Sequence, residues 1–244
     1  MTRVLQAMAG AVHGGAEAFF ERLAAALGRA GEEQAIVIRR NPERAARLRQ
    51  GGLAPLELPF GGIFDIVTKP RLARAIGEFR PRVVLSWMSR ATALCPRGDF
   101  VHVARLGGYY DLRHYRHCDH LIGNTRALTA WLVAEGWPEA RVHYLPNFAA
   151  AVKAAPLPRA RLETPADVPL ALALGRLHPN KGFDLLLEAA ARVEGLYLWL
   201  AGEGPLAADL KRQAASLGIA WRVRCLGWRE DVPALLAACD CLVS

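Results

Sequence analysis

The run Pro169-Leu170-Ala171-Leu172-Ala173-Leu174-Gly175 leads straight into Arg176-Leu177-His178-Pro179-Asn180-Lys181-Gly182 and then Phe183-Asp184-Leu185-Leu186-Leu187. An unbroken apolar run of strand length that stops at glycine reads as a strand buried on both faces. The spacing after Gly182 predicts a helix over 183–193. The same unit then repeats: a strand at 196–201, the turn Gly202-Glu203-Gly204-Pro205, and a helix at 206–217. A strand at 221–226, a helix at 232–239 and a strand at 241–243 follow. Strands separated by helices of this length imply parallel sheets covered on both faces.

Upstream the alternation is the same. A strand at 3–8, a loop at 9–15 and a helix at 16–30 open the chain, followed by a strand at 34–40 and a helix at 42–50. A helix at 65–79 stops before Pro81, and 83–87 and 100–105 read as buried strands. A short strand at 120–123 runs into Asn124-Thr125, good capping chemistry for a helix reaching Gly136, and 142–145 closes this half. Between the halves, 149–168 carries Pro156, Pro158 and Pro165 without periodicity, as a linker would. The expected architecture is therefore α/β, with Rossmann-like domains at 1–148 and 169–244. The second stops at its fourth strand, so an incomplete sheet is expected there.

Composition narrows the function classes. The chain has 244 residues, 52% hydrophobic and 22% charged, which excludes a disordered chain and a bundle of membrane spans. No stretch approaches the roughly 20 apolar residues of a spanning helix. The first residues lack the charged-then-apolar build of a signal peptide, so a cytoplasmic location is expected. Thirty-one basic against 23 acidic residues give +8. Only Lys69, Lys153, Lys181 and Lys211 are lysine, so arginine, whose planar fork suits phosphate, carries the charge. That charge fits solvated helix faces, or an anionic partner such as nucleotide phosphates or a membrane surface. Nucleic acid is not expected, for no helix-turn-helix, zinc spacing or aromatic-basic strand is present. Cys95, Cys118, Cys225, Cys239 and Cys241 match no zinc or redox spacing and read as reduced, mostly buried small hydrophobes.

Ligands of open parallel sheets sit beyond the carboxyl ends of the strands, and three loops there carry suggestive chemistry. Gly14-Gly15-Ala16-Glu17 allows close backbone approach and precedes a helix N-terminus. In 175–182, Arg176 and Lys181 flank a turn made by Pro179 and Asn180, which can aim both cations at one diphosphate; the glycine pattern is not that of a P-loop. Gly202-Glu203-Gly204-Pro205 is a further strand-to-helix turn, with proline where its missing N–H does no harm.

Three segments together resemble the retaining, GT-B-fold glycosyltransferases of family four, and among them the bacterial enzymes that build lipopolysaccharide or other envelope glycans. They are Gly175-Arg176-Leu177 through Lys181-Gly182-Phe183-Asp184-Leu185-Leu186-Leu187, Ala201-Gly202-Glu203-Gly204-Pro205, and Leu226-Gly227-Trp228 through Asp231-Val232-Pro233 to Cys239-Asp240. Gly14-Gly15-Ala16-Glu17, Pro81-Arg82-Val83-Val84 and Leu145-Pro146-Asn147 fit as well. Arg105-Leu106-Gly107-Gly108-Tyr109-Tyr110 and Cys118 to Thr125 look like the signature of one subgroup.

The resemblance implies transfer of a sugar from a nucleotide diphosphate sugar to an envelope glycan or lipid-linked acceptor, with retention at the anomeric carbon. The donor would lie between the domains, mostly on the second. Arg176 and Lys181 match the family's diphosphate-binding pair and would offset the leaving group's charge, so neither a metal nor a cofactor is implied. Gly14 and Gly15 would add backbone N–H contacts, and Glu203 would line the nucleotide side. Many members carry a sugar-contacting histidine where this chain has Arg105 or its neighbour; His102, His114 and His117 are out of register, so no catalytic histidine is assigned. With Glu17 and Asn124 these residues make up the implied substrate-binding set. The family's paired glutamates should follow the final strand, beyond Ser244, so 1–244 is expected to turn over poorly. A GT-B nucleotide-sugar epimerase, or a truncated, non-catalytic nucleotide-binding remnant, remain open as alternatives. A lipid-linked acceptor and the +8 charge imply peripheral attachment to the anionic inner face of the cell membrane, through Arg71, Arg74, Arg80, Arg113 and Arg116.

Overall fold

The computed structural model describes residues 2–61, 64–148 and 153–243. The chain divides into two units, Met1–Ala149 and Ala150–Ser244. In the first, strands β1 (Arg3–Met8), β2 (Glu33–Arg39), β3 (Pro55–Leu58), β4 (Val83–Trp87), β5 (Val101–Leu106), β6 (His120–Gly123) and β7 (Val142–Tyr144) form one sheet. Helices α1 (Gly15–Arg29), α2 (Pro42–Gln50), α3 (Thr68–Phe79), α4 (Met88–Leu94) and α5 (Arg126–Ala134) connect them. Every ladder is parallel and the strand order is β3-β2-β1-β4-β5-β6-β7.

The sheet is covered on both faces, which explains the continuous apolar character of its strands. Along β1, Val4 and Met8 pack with Phe19 and Phe20 of α1, while Leu5 and Ala7 pack with Leu72 and Ile76 of α3. The one polar residue in the middle, Gln6, is fully buried; it donates to Gln34 Oε1 at 2.8 Å and accepts from Trp87 Nε1 at 3.1 Å. Its bonding capacity is used, so the strand tolerates it.

Two elements carry no clear sequence signal. β3 is four residues long and begins with Pro55, which an edge strand accepts because it pairs on one side only, here with β2. α4 follows β4 with no connecting residue, and Met88 takes φ 70 to make the corner, a left-handed conformation that side chains resist. α3 begins at Thr68, later than the expected 65. The Asp65 carboxylate accepts from the N–H groups of Gly61, Val67 and Thr68 and from the Thr68 hydroxyl, forming a turn in place of a helical start. Those bonds, the Thr68 hydroxyl's foremost, hold its carboxyl down at about 2.

At α5 the capping residue is Thr125, whose Oγ1 accepts from Leu128 N at 3.0 Å. Thr125→Ala should lower stability by about 1 kcal/mol, and Thr125→Ser should restore most of it, read from urea unfolding midpoints.

The second unit contains β8 (Leu170–Leu174), α6 (Phe183–Ala191), β9 (Tyr197–Ala201), α7 (Ala207–Ser216), β10 (Val223–Gly227), α8 (Val232–Ala238) and β11 (Cys241–Val243). Its sheet is parallel in the order β10-β9-β8-β11. α6 and α7 cover one face, with Leu187 and Leu210 against Leu198 and Leu200. Leu235 and Ala238 of α8 pack on Leu172 and Trp199 from the other face.

Of the segment read as linker, 149–152 lies outside the described residues. From Leu157 onward it belongs to the second unit: Leu157 N donates to Ala234 O at 3.1 Å, and Leu157, Leu162 and Val168 pack on the sheet. Arg159 donates to the carbonyls of Ala238 and Val168 and pairs with Asp240 at 2.8 Å. Trp199 Nε1 finds Thr164 Oγ1 at 2.9 Å. Prolines and alanines hide such attachment from a periodicity reading, because the chain is held by single side chains rather than by a regular element.

The cysteines also differ from expectation. Cys95 and Cys118 are buried, but Cys225 and Cys241 are exposed and Cys239 is half-buried.

Candidate functional site

In each sheet the connections reverse direction between the first strand and its later neighbour, at β1/β4 and at β8/β11. Such switch points leave a crevice at the carboxyl ends of the strands. The loops after β1 and β8 open there.

In the second unit, the loops after β8 and β9 continue the sheet's hydrogen bonding past its strands. Gly175 N donates to Ala201 O (3.0 Å), Leu177 N to Glu203 O (2.9 Å), and Leu206 N to Leu177 O (3.1 Å). A Cβ on Gly202 would overlap the Gly175 carbonyl, and one on Gly204 would overlap the Leu177 carbonyl, so both glycines are needed for this contact. Leu177 is the buried anchor between them. Arg176, Lys181 and Glu203 are thus brought to one edge of the sheet, all three exposed. The Lys181 side chain runs back across Gly175, its Cε 3.8 Å from where a Cβ on that glycine would stand. The turn between the cations is a single 3-10 turn, Pro179–Lys181, in which His178 Nδ1 meets Asn180 Oδ1 at 2.9 Å.

In the first unit, the loop before α1 is braced from within. Arg44 of α2, almost fully buried, donates from Nη2 to the carbonyls of Ala11 (2.8 Å) and Val12 (2.9 Å) and pairs through Nε with Glu21 at 3.2 Å. Glu17 is turned inward: its Oε1 accepts from Ala11 N at 2.7 Å, and its carboxylate fills the space that side chains at Gly10 and Gly14 would need. That accounts for Gly14, whereas Gly15 has open space where a side chain would be.

Arg105, at the end of β5, is 2% exposed. Its guanidinium stacks over Phe19 (4.6 Å) and Trp87 (4.8 Å) and donates to Asn147 Oδ1. Its Nε has no hydrogen-bond partner among the described residues. Burial lowers it to about 10, opposed by Tyr110. The Tyr110 phenol is pushed up by burial and by Glu17 and pulled down by Arg105, so the three groups share one neighbourhood. Asn124, in the turn before α5 at the end of β6, is half-buried.

Tyr110 and Asn147 stand beside Arg105 without having been picked out in the sequence; Met88, strained at φ 70, follows Trp87 directly. The first two lie in the motifs Arg105–Tyr110 and Leu145-Pro146-Asn147, which was their only signal. Met88 had none.

Residues 13–150 match the family described as Glycosyltransferase Family 4, and residues 168–244 match Glycosyl transferases group 1. The lipopolysaccharide core biosynthesis glycosyltransferase LpsE of Rhizobium meliloti (strain 1021) is 35% identical over 240 residues, covering 94% of this chain and 68% of that protein. LpsD of the same organism, of the same description, is 34% identical over 238 residues, with the same coverages of 94% and 68%. Among solved structures, Anabaena Alr3699/HepE in complex with UDP and glucose superposes with a TM-score of 0.80 at 19% identity, covering 99% of this chain and 73% of that one. The fold is GT-B, with a parallel Rossmann-like sheet in each unit. With the family matched over both units and relatives above one-third identity across nearly its whole length, the chain belongs to the family 4, group 1 glycosyltransferases.

Proposed function

We propose that this protein transfers a sugar from a nucleotide diphosphate sugar to a lipopolysaccharide-core or related envelope glycan, with retention at the anomeric carbon. The observation that carries this reading is the pair of interlocked loops at the β8/β11 switch point, which presents Arg176 and Lys181 at one exposed edge. The names of LpsE and LpsD support the acceptor class, and the UDP and glucose held by HepE support the donor class.

Chemically, the bond between the anomeric carbon and the diphosphate oxygen breaks and negative charge grows on the departing diphosphate. Arg176 and Lys181, held by the loop rather than recruited during the reaction, stabilise that charge electrostatically. Glu203 lines the nucleotide side of the same edge. On the first unit, Gly14 and Gly15 offer backbone N–H groups at the start of α1, with Glu17 bracing that loop, and Asn124 opens α5. Arg105 stands where a sugar-contacting group is expected. Its guanidinium is sealed from solvent, so its half-buried neighbour Tyr110 is the group available to a sugar hydroxyl.

The test is transfer from UDP-, GDP- and ADP-sugars to deacylated core oligosaccharide, with the product's anomeric coupling read by NMR. One donor should give product with the donor's own configuration. Inverted product would overturn retention, and release of an epimerised nucleotide sugar with no acceptor consumed would overturn the transferase reading.

We propose also that the protein works at the inner, anionic face of the membrane. No helix among the described residues is long and apolar enough to cross one. Arg71, Arg74, Arg80, Arg113 and Arg116 are exposed, but Arg74 is engaged by Glu78 at 2.7 Å and Arg113 by Asp111 at 2.8 Å. Phe64 and Ile66, 94% and 84% exposed, sit just ahead of α3 beside its Lys69 and Arg71 and add an apolar contact. Each basic side chain at such a surface contributes about 1 kcal/mol, screened by salt. Binding to phosphatidylglycerol vesicles should weaken at least tenfold between 50 mM and 500 mM salt, roughly the loss of one to two such contacts. Equal binding to neutral vesicles would refute it.

A further inference from the structure

Side chains alternate across a strand, so β5 sends His102 to the face opposite Arg105. There His102, His117 and Cys118 each offer a ligand atom, and these atoms lie within 4.8 Å of one another. His102 and Cys118 are buried and His117 is half-buried. The two imidazoles are 5.2 Å apart, centroid to centroid.

The surrounding hydrogen bonds set the tautomers. Thr92 Oγ1 donates to the Met88 carbonyl at 3.0 Å, so it accepts from Ser86 Oγ at 2.9 Å. That engages the Ser86 proton, whose other contact, to Val103 O, is long at 3.5 Å. Ser86 therefore accepts from His102 Nε2 at 2.9 Å. His117 Nε2 donates to the Thr92 carbonyl at 3.0 Å. Each ring spends its Nε2 proton on an oxygen and keeps the Nδ1 lone pair, the arrangement that orients metal-binding histidines. Asp119 clamps the strand to the loop from both sides: its Oδ2 accepts from His102 N at 2.7 Å, and its own N–H donates to His102 O at 2.8 Å. This holds His102 against the His117-Cys118 pair.

We propose that His102 Nδ1, His117 Nδ1 and Cys118 Sγ form a site for a borderline-soft divalent cation, Zn2+ above all, separate from the donor-binding loops. Two nitrogens and a sulfur are a zinc donor set, and the open fourth position takes water from the half-buried His117 side. Tetrahedral coordination brings such atoms to about 3.4–3.6 Å from one another, so the three residues draw together on binding. The Cys118 S–H bond breaks, a sulfur–metal bond forms and the proton leaves to solvent; nothing is oxidised or reduced. The site pins the 107–119 segment, which carries Tyr110, to β5 and α4.

The test uses the whole chain, kept reduced and stripped with EDTA, then titrated with Co2+. One equivalent should bind with a thiolate-to-cobalt charge-transfer band and the strong visible absorption of tetrahedral cobalt. One equivalent of Zn2+ should displace it. Cys118→Ser should lose the charge-transfer band, and His117→Gln should weaken cobalt binding at least about tenfold with an unchanged far-ultraviolet circular dichroism spectrum. Replacing Cys225, Cys239 and Cys241 together by serine should change nothing. The proposal falls if wild type shows no band, if the band survives Cys118→Ser, or if it vanishes in the triple variant. Should Cys118→Ser not fold, unaltered affinity in His117→Gln overturns it alone.

Discussion

Lys181→Ala should slow transfer about 10²–10³-fold, equivalent to roughly 2.7–4 kcal/mol of lost transition-state stabilisation. The loss should fall on kcat, because the charge that Lys181 meets develops as the diphosphate departs. Stability should change by no more than about 0.5 kcal/mol, for Lys181 is exposed and its turn is held by backbone bonds. Lys181→Arg should recover part of the rate, since charge is kept while geometry changes. Initial rates at saturating donor, together with an unfolding curve for each variant, check both halves. A wild-type rate in Lys181→Ala would mean that the diphosphate sits elsewhere.

Gly202→Ala should destabilise the second unit by about 3 kcal/mol and abolish donor binding at the same time. Gly202 adopts φ 150, and a Cβ there would overlap the Gly175 carbonyl, which is backbone and cannot rotate away. Gly202 is also held from behind by its own N–H, which donates to Gly227 O at 2.8 Å. The only relief is to part the β8 and β9 loops, which breaks the bonds that position Arg176. Gly77→Ala in α3 is the control. It meets open space within a helix, so a small gain of about 0.5–1 kcal/mol is expected. Denaturant unfolding and nucleoside diphosphate titration of both variants decide it. Tight binding by Gly202→Ala would show that the interlocked loops are not what places the cations.

The strands with continuous apolar runs were legible because burial on both faces writes itself into consecutive residues. β1, β4, β6 and β8 stand where the sequence places them, and so does β11, although its three residues are exposed. α3 starts three residues later than the sequence places it, because Asp65 closes a turn ahead of it. β3 and α4 were not legible, because one is a four-residue edge strand and the other follows its strand without a turn.

The residues at the strand-to-helix turns, Arg176, Lys181, Gly14 and Gly15 among them, could be picked out since turn chemistry is local. That Glu17 faces inward under Gly10 and Gly14 was not readable, because it depends on how the loop folds back on itself.

By itself the sequence determined an alternation of strands and helices, two parallel α/β units, and a basic turn after β8. These follow from the period of apolar residues and from glycine and proline within a few positions of each other. Strand order, and everything that rests on it, belonged to the tertiary structure. Arg105 meets Phe19 and Trp87 because β5, β4 and α1 are stacked side by side. His102 meets His117 and Cys118 because β5 and the segment before β6 pair in parallel register. Residues brought together across 15 to 86 positions of chain leave no periodic trace, since their contact is set by packing and hydrogen bonding between elements and not by spacing within one.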